Sequence, residues 1–384
     1  MTRTNSFTDA RYWYRYFAPS GLLIASVLLV MLLTSCGRKS EPTVTIGVSL
    51  PLTGPAASYG ESARKGLEIA YDEFLAQHPE LKNKVLLDIE DDTASPKDGI
   101  TIYQKFNASG IRIYLGPMVS GVAIAVTDLA KNDNSLFILP TATNPRLRGR
   151  SPLVYRTCVS DDAEGSAVAK FVYARDPKQV LAVLYINNDY GLGIGTVFAD
   201  TYRHLGGTVA STEAYDAAST DFRDIVTKVR SSSATALFLV GQKEQLQVIK
   251  QLREAGFAGQ LYGTTMFEDS QLLQSPGAEG AIFSTRVLND GTRGQQANPF
   301  FDAYRKRFNA DADYYAAAFH DGMSVALASA TELLAKPQTN LNSLPRLVGP
   351  KEGATGSLEF DDQNDVNQPF AFKQIRGGKV EFLP

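Results

Sequence analysis

Ser120, Thr141 and Thr143 each follow a short apolar run, and Asn187-Asn188-Asp189-Tyr190-Gly191 ends another. Hydroxyls and backbone N–H groups at strand ends and helix starts suit a carboxylate or similar anion. Taken singly, each is an ordinary cap or turn residue. Their recurrence at the same end of successive runs makes them a candidate binding site. Bond-making chemistry has less to stand on. His78, His204 and His320 each lie in or beside a helical pattern, and none adjoins a serine, cysteine or metal-type cluster. No G-x-S-x-G elbow and no H-E-x-x-H occurs, so neither a hydrolase nor a metal site is indicated. Gly191-Leu192-Gly193-Ile194-Gly195 approaches a dinucleotide fingerprint but has Thr196 where the third glycine belongs. It reads as a glycine-rich turn that lets the Tyr190 loop approach a ligand. Asp361 to Asp365 has Val366 where a calcium loop needs glycine, and reads as a polar turn between strands. The expectation is a binding protein with no cofactor, no metal and no enzymatic activity.

The elements that must position these residues alternate. Val44 to Leu50 is a β-branched apolar run, followed by a Pro, Gly, Ser and Thr loop from Pro51 to Tyr59. Ser58 and Glu61 have capping-box spacing, and Ala63, Leu67, Ala70 and Phe74 share the face of a helix. Strand and helix patterns then take turns to Leu139, restart near Val154 to Asp162, and continue to Ser284. Such alternation predicts α/β units with parallel sheets. At 384 residues the chain exceeds one ordinary core, so two domains are expected, and the sequence alone would make them consecutive. A 44% hydrophobic, 21% charged composition is that of a globular protein, and a net charge of −3 offers nothing to nucleic acid.

Arg3, Arg11 and Arg15 precede an apolar run from Gly21 to Leu33, which is short for a membrane span and suits a signal peptide. Leu33-Thr34-Ser35-Cys36 resembles the bacterial lipobox, which makes residues 1–36 a lipoprotein signal with Cys36 as the lipidated residue. Residues 37–42 read as a tether. Cys158, then the one remaining cysteine, sits among Val154, Tyr155 and Val159 and reads as a buried thiol.

Several longer stretches carry a family resemblance. IGVSLPLTGPAASYGESARKGLEIAYDE, YLGPMVSG at Tyr114 to Gly121 and PTATNP at Pro140 to Pro145 look like the type I periplasmic binding proteins related to the leucine/isoleucine/valine-binding protein. YRTCVSDDAEG at Tyr155 to Gly165 and NNDYGLG at Asn187 to Gly193 add to the match. The resemblance implies two doubly wound, Rossmann-like α/β lobes joined by a three-stranded hinge. It divides the chain into 43–159 with 287–353 as lobe one, and 160–286 with 354–384 as lobe two. It implies ligand contacts from Tyr59, Met118, Ser120, Thr141, Thr143, Asp161 and Tyr190. Branched-chain amino-acid binders place an ammonium-pairing glutamate after the strand matching Leu261, where this chain has Thr265, with Glu268 slightly later. Either Asp161 or Glu268 substitutes, or the ligand is not an α-amino acid. The implied role is an extracytoplasmic, lipid-anchored substrate-binding protein of an ABC importer, with a small polar solute and permease transmembrane subunits as partners. A sensing or cell-wall-regulatory lipoprotein of the same fold is the alternative.

Overall fold

In the computed structural model the described residues are 41–384 other than 294–295, and Cys36 and the signal segment lie outside them. Residues Thr43 to Pro384 form one compact unit. The first half lays down β1 (Val44–Leu50), α1 (Ala57–Gln77), β2 (Val85–Asp91), α2 (Pro96–Ala108), β3 (Ile113–Leu115), α3 (Ser120–Leu129), β4 (Leu136–Leu139) and β5 (Val154–Arg156). Their strands pair in parallel in the order β2-β1-β3-β4-β5. The expected alternation is therefore met, with near-continuous apolar strands because both sheet faces are covered. Ile46, Val48 and Leu50 pack with Ala63, Leu67 and Ala70 of α1 on one face. On the other, Phe106 of α2 and Val122 of α3 meet Tyr114 and Phe137.

The chain next gives α4 (Asp161–Arg175), β6 (Val180–Ile186), α5 (Asp189–His204), β7 (Thr208–Tyr215), α6 (Arg223–Ser231), β8 (Ala236–Val240), α7 (Gln245–Glu254), β9 (Gln260–Gly263), α8 (Ser270–Leu273) and β10 (Ile282–Arg286). The second sheet runs β7-β6-β8-β9-β10 in parallel, the same order as the first. Val168 of α4 and Phe198 of α5 cover one face, Val226 of α6 and Val248 of α7 the other.

The two units are not consecutive. After β10 the chain forms α9 (Pro299–Phe308), α10 (Tyr314–Ala335), α11 (Leu344–Val348) and the small hairpin β11 (Glu352–Gly353) and β12 (Gly356–Ser357). Phe319 and Met323 of α10 pack into the first core with α1. The chain then returns as β13 (Phe370–Arg376), antiparallel to β10, and β14 (Lys379–Phe382). It thus passes between the sheets three times, as a three-stranded hinge requires. Leu358 and Val366 belong to the first core, so part of the segment from 354 that the sequence reading gave to lobe two packs with lobe one.

Two local expectations change. The Ser58–Glu61 capping box is not made, because α1 begins at Ala57 with Ala56 as its uncapped N-cap, and Glu61 pairs with Arg64 instead. The run Gly191 to Gly195 is not a turn but the start of α5. Its glycines permit close packing: a Cβ on Gly191 would stand 2.0 Å from the Ile186 carbonyl.

Candidate functional site

A strand order of 2-1-3-4-5 reverses between its first and third strands, and the crevice beyond their carboxyl ends is where such sheets take ligands. Here two such crevices face each other. They enclose one cavity of about 660 Å³, mouth included, whose wall holds Tyr59, Met118, Ser120, Thr141, Thr143, Tyr190 and Thr265. The structure brings these seven expected residues together. Lobe one supplies the start of α1, the β3–α3 loop with the first residue of α3, and the loop after β4, while lobe two supplies the start of α5 and the segment after β9. Gly116 makes the β3–α3 loop possible: its φ is +91°, and a Cβ there would meet the Ser49 carbonyl at 2.4 Å. That bend turns Met118 and Val119 toward the cavity.

The positioning contacts are specific. Ser120 Oγ accepts from the Asn144 N–H at 3.3 Å, which leaves its proton free to donate. Thr141 Oγ1 donates to the Met118 carbonyl at 3.1 Å. Tyr190 Oη and Thr264 Oγ1 lie 2.9 Å apart. Arg156, fully buried, grips Asp365 through Nε at 2.7 Å and Nη2 at 2.5 Å, and its Nη1 donates to the Thr143 and Asn144 carbonyls at 3.0 Å each. The loop that carries Thr143 is thus pinned to the third crossing segment. Burial raises the Tyr59 phenol to about 12, and its ring lies 4.8 Å from that of Tyr315.

Asp161 and Glu268 are placed otherwise. Asp161 opens α4 fully buried behind the wall, and burial together with Glu164 raises its carboxyl to about 7. Glu268 turns away to Lys373 at 2.6 Å and Thr285 Oγ1 at 2.8 Å. Neither carboxylate lines the cavity. The acid that does was missed: Glu164, whose Oε1 accepts from Thr265 N and Oγ1 at 3.2 Å and Ser284 Oγ at 2.6 Å. Its Oε2 accepts from Arg286 Nη2 at 2.9 Å. Arg286, Tyr314, Tyr315, Met266 and Gln242 were also missed. Only Glu164 had a signal, its place one turn into a helix that begins with Asp161.

Cys158 is fully buried as expected, with burial raising its thiol to about 12. His320 lies against Asp321 and Glu73, and among the described residues no His, Cys, Asp and Glu cluster could hold a metal ion.

Two parallel α/β lobes that enclose a cavity at their strand ends, linked by three crossings, define a two-lobed solute-binding protein. The family model described as periplasmic binding protein matches residues 43–379, and the chain belongs to that family, with the type I architecture of the leucine/isoleucine/valine-binding proteins. It is a family of extracytoplasmic binding proteins and not of enzymes. The Leu/Ile/Val-binding protein BraC3 of Rhizobium johnstonii is 29% identical over 349 residues, covering 88% of this chain and 93% of its own. Leu/Ile/Val-binding protein homolog 3 of Brucella melitensis is 28% identical over 334 residues, 85% of this chain and 89% of its own. Among solved structures, a leucine binding protein from Thermotoga maritima superposes with a TM-score of 0.79 at 21% identity, covering 89% of this chain and 98% of that one. A solute binding protein from R. palustris in complex with benzoate gives 0.77 at 18% identity, covering 89% and 95%. At these identities the structural likeness speaks for the fold.

Proposed function

We propose that this chain is the solute-binding lipoprotein of an ABC importer, anchored through Cys36, and that it delivers a small carboxylate-bearing solute to permease transmembrane subunits. The amino acid named for its relatives, or a similar compound, is the starting class. One observation carries the reading: a single cavity is walled by strand-end residues of both lobes. Contacts made with both lobes exist only when the lobes are closed, so the solute favours closure by that difference in affinity. Tyr59, Met118, Ser120, Thr141, Thr143, Tyr190 and Thr265 would touch it. A thermal-shift screen of amino acids, amides and small organic acids tests the proposal, since a ligand at about 100 times its Kd adds about 2.7 kcal/mol. A panel with no stabilising member would count against it. Replacing Cys36 with serine should abolish acylation of the chain, read as loss of incorporated labelled fatty acid, and label retained in the variant would dismiss Cys36 as the anchor.

A further inference from the structure

The cavity wall has a surplus of donors. Arg286 is 6% exposed, and while its Nη2 is held by Glu164, its Nε and Nη1 are buried with no hydrogen-bond partner. The buried Tyr314 Oη, also in the wall, has none either. The guanidinium carbon sits 5.7 Å from the Tyr314 ring centroid and 4.3 Å from that of Phe370, so aromatic rings flank the cation. Across the cavity, α3 starts at Ser120 with no side-chain cap, and the Ser120 hydroxyl still has a proton to give. Buried donors without partners are costly, and a ligand at that place removes the cost. The wall offers no free carboxylate for an ammonium, and the unpartnered oxygens of Asp161 belong to a side chain that does not line it. Its one carboxylate, Glu164, already takes three donors on Oε1 and Arg286 on Oε2. An α-ammonium placed here would be desolvated without an anion of its own.

Resting on the solute-binding reading above, we propose that the solute is a small carboxylic acid without an α-ammonium group. Its carboxylate accepts from one of the unpartnered Arg286 N–H groups and from the Tyr314 hydroxyl, and any further acceptor oxygen faces Ser120 and the first turn of α3. Its apolar body lies among Tyr59, Met118, Met266 and Tyr315. Titration calorimetry on the purified protein should compare leucine with 4-methylpentanoate, which differs only in lacking the ammonium, and with 4-methyl-2-oxopentanoate and benzoate. At least one acid should bind tenfold or more tighter than leucine. Tyr314→Phe should weaken that acid by about tenfold and Arg286→Gln by about 100-fold, the range of charge-assisted hydrogen bonds. Because Arg286→Gln strands Glu164, the double variant with Glu164→Gln controls for folding. Tighter binding of leucine than of every acid, or acid affinity unchanged in both Tyr314→Phe and the double variant, would overturn this inference and leave the solute-binding reading intact. No binding by either class would fell that reading, and this one with it.

Discussion

At the scale of single residues, the buried charges set most of what can be measured. Asp365 stands in a polar run that looks like a free turn in sequence, yet its carboxylate receives both Arg156 and Arg148. Removing one partner of a buried pair leaves the other charge uncompensated, at about 3–5 kcal/mol. Asp365→Ala should therefore lower the unfolding free energy from urea titration by that much with an unchanged slope, and a change below about 1 kcal/mol would mean the pair is not formed. Two other groups give pH dependence in separate windows. Burial alone would lower the His320 ring, but Asp321 and Glu73 outweigh it and raise the ring to about 9. Its contribution is whole below the unfolded value near 6.5 and vanishes as pH rises through about 9, a loss of about 2–3 kcal/mol. His320→Gln should flatten that part of the stability profile. Asp161 moves the other way on the scale of cost: a carboxyl raised to about 7 destabilises the fold once it ionises, between about pH 4 and 7. Asp161→Asn should accordingly be more stable than wild type at pH 8, by about 2–4 kcal/mol; equal stability would show that the carboxylate finds a partner.

At the scale of elements, local sequence wrote the strands and helices and left out which ones meet. Val180–Ile186 and Ala236–Val240 were legible because β-branched and apolar runs bounded by turns have few other readings. Ser120, Thr141 and Thr143 were legible because strand ends recur. Glu164 and Arg286 were not, since their meeting depends on α4 and β10 lying side by side across 122 residues of chain. The start of α5 was misread for a related reason. Glycines signal a turn locally, whereas here they let a helix press on β6, and only packing distinguishes the two. The same device joins α1 to α10, where a Cβ on Gly66 would stand 1.9 Å from the Ala316 carbonyl. Gly66→Ala improves helix propensity by about 1 kcal/mol yet forces two helices apart, and overpacking costs about 1–3 kcal/mol or more. A net destabilisation in denaturant titration is expected, and a stabilised variant would mean the helices are not seated this closely.

At the scale of the whole molecule, the lobes touch across the rim of the cavity, so this arrangement is a closed one. Asn144 Nδ2 donates to the Asp189 carbonyl, Arg146 Nη1 lies 3.1 Å from Asp189 Oδ1, and Tyr315 Oη lies 3.1 Å from Met266 Sδ. The Arg146–Asp189 pair is half-exposed, so its worth is about 0–1 kcal/mol and it cannot hold the lobes shut by itself. On the proposed function, contacts of that size would leave closure to the solute, as a two-state hinge needs if it is to report occupancy. Gly193 supplies a way to separate closure from folding. It lies on α5 in lobe two, and a Cβ there would meet Asn144 Nδ2 at 2.9 Å and Pro145 Cδ at 3.1 Å, both in lobe one. A large side chain at this position has room when the lobes part and none when they meet. Gly193→Phe should thus fold with a melting temperature near that of the solute-free wild type, while its affinity for any solute of the cleft falls at least tenfold. Small-angle scattering should show it failing to contract when solute is added. Were the variant to bind with wild-type affinity and contract normally, the rim contacts would not belong to the bound state, and the cavity would have to fill without the lobes meeting at Asn144.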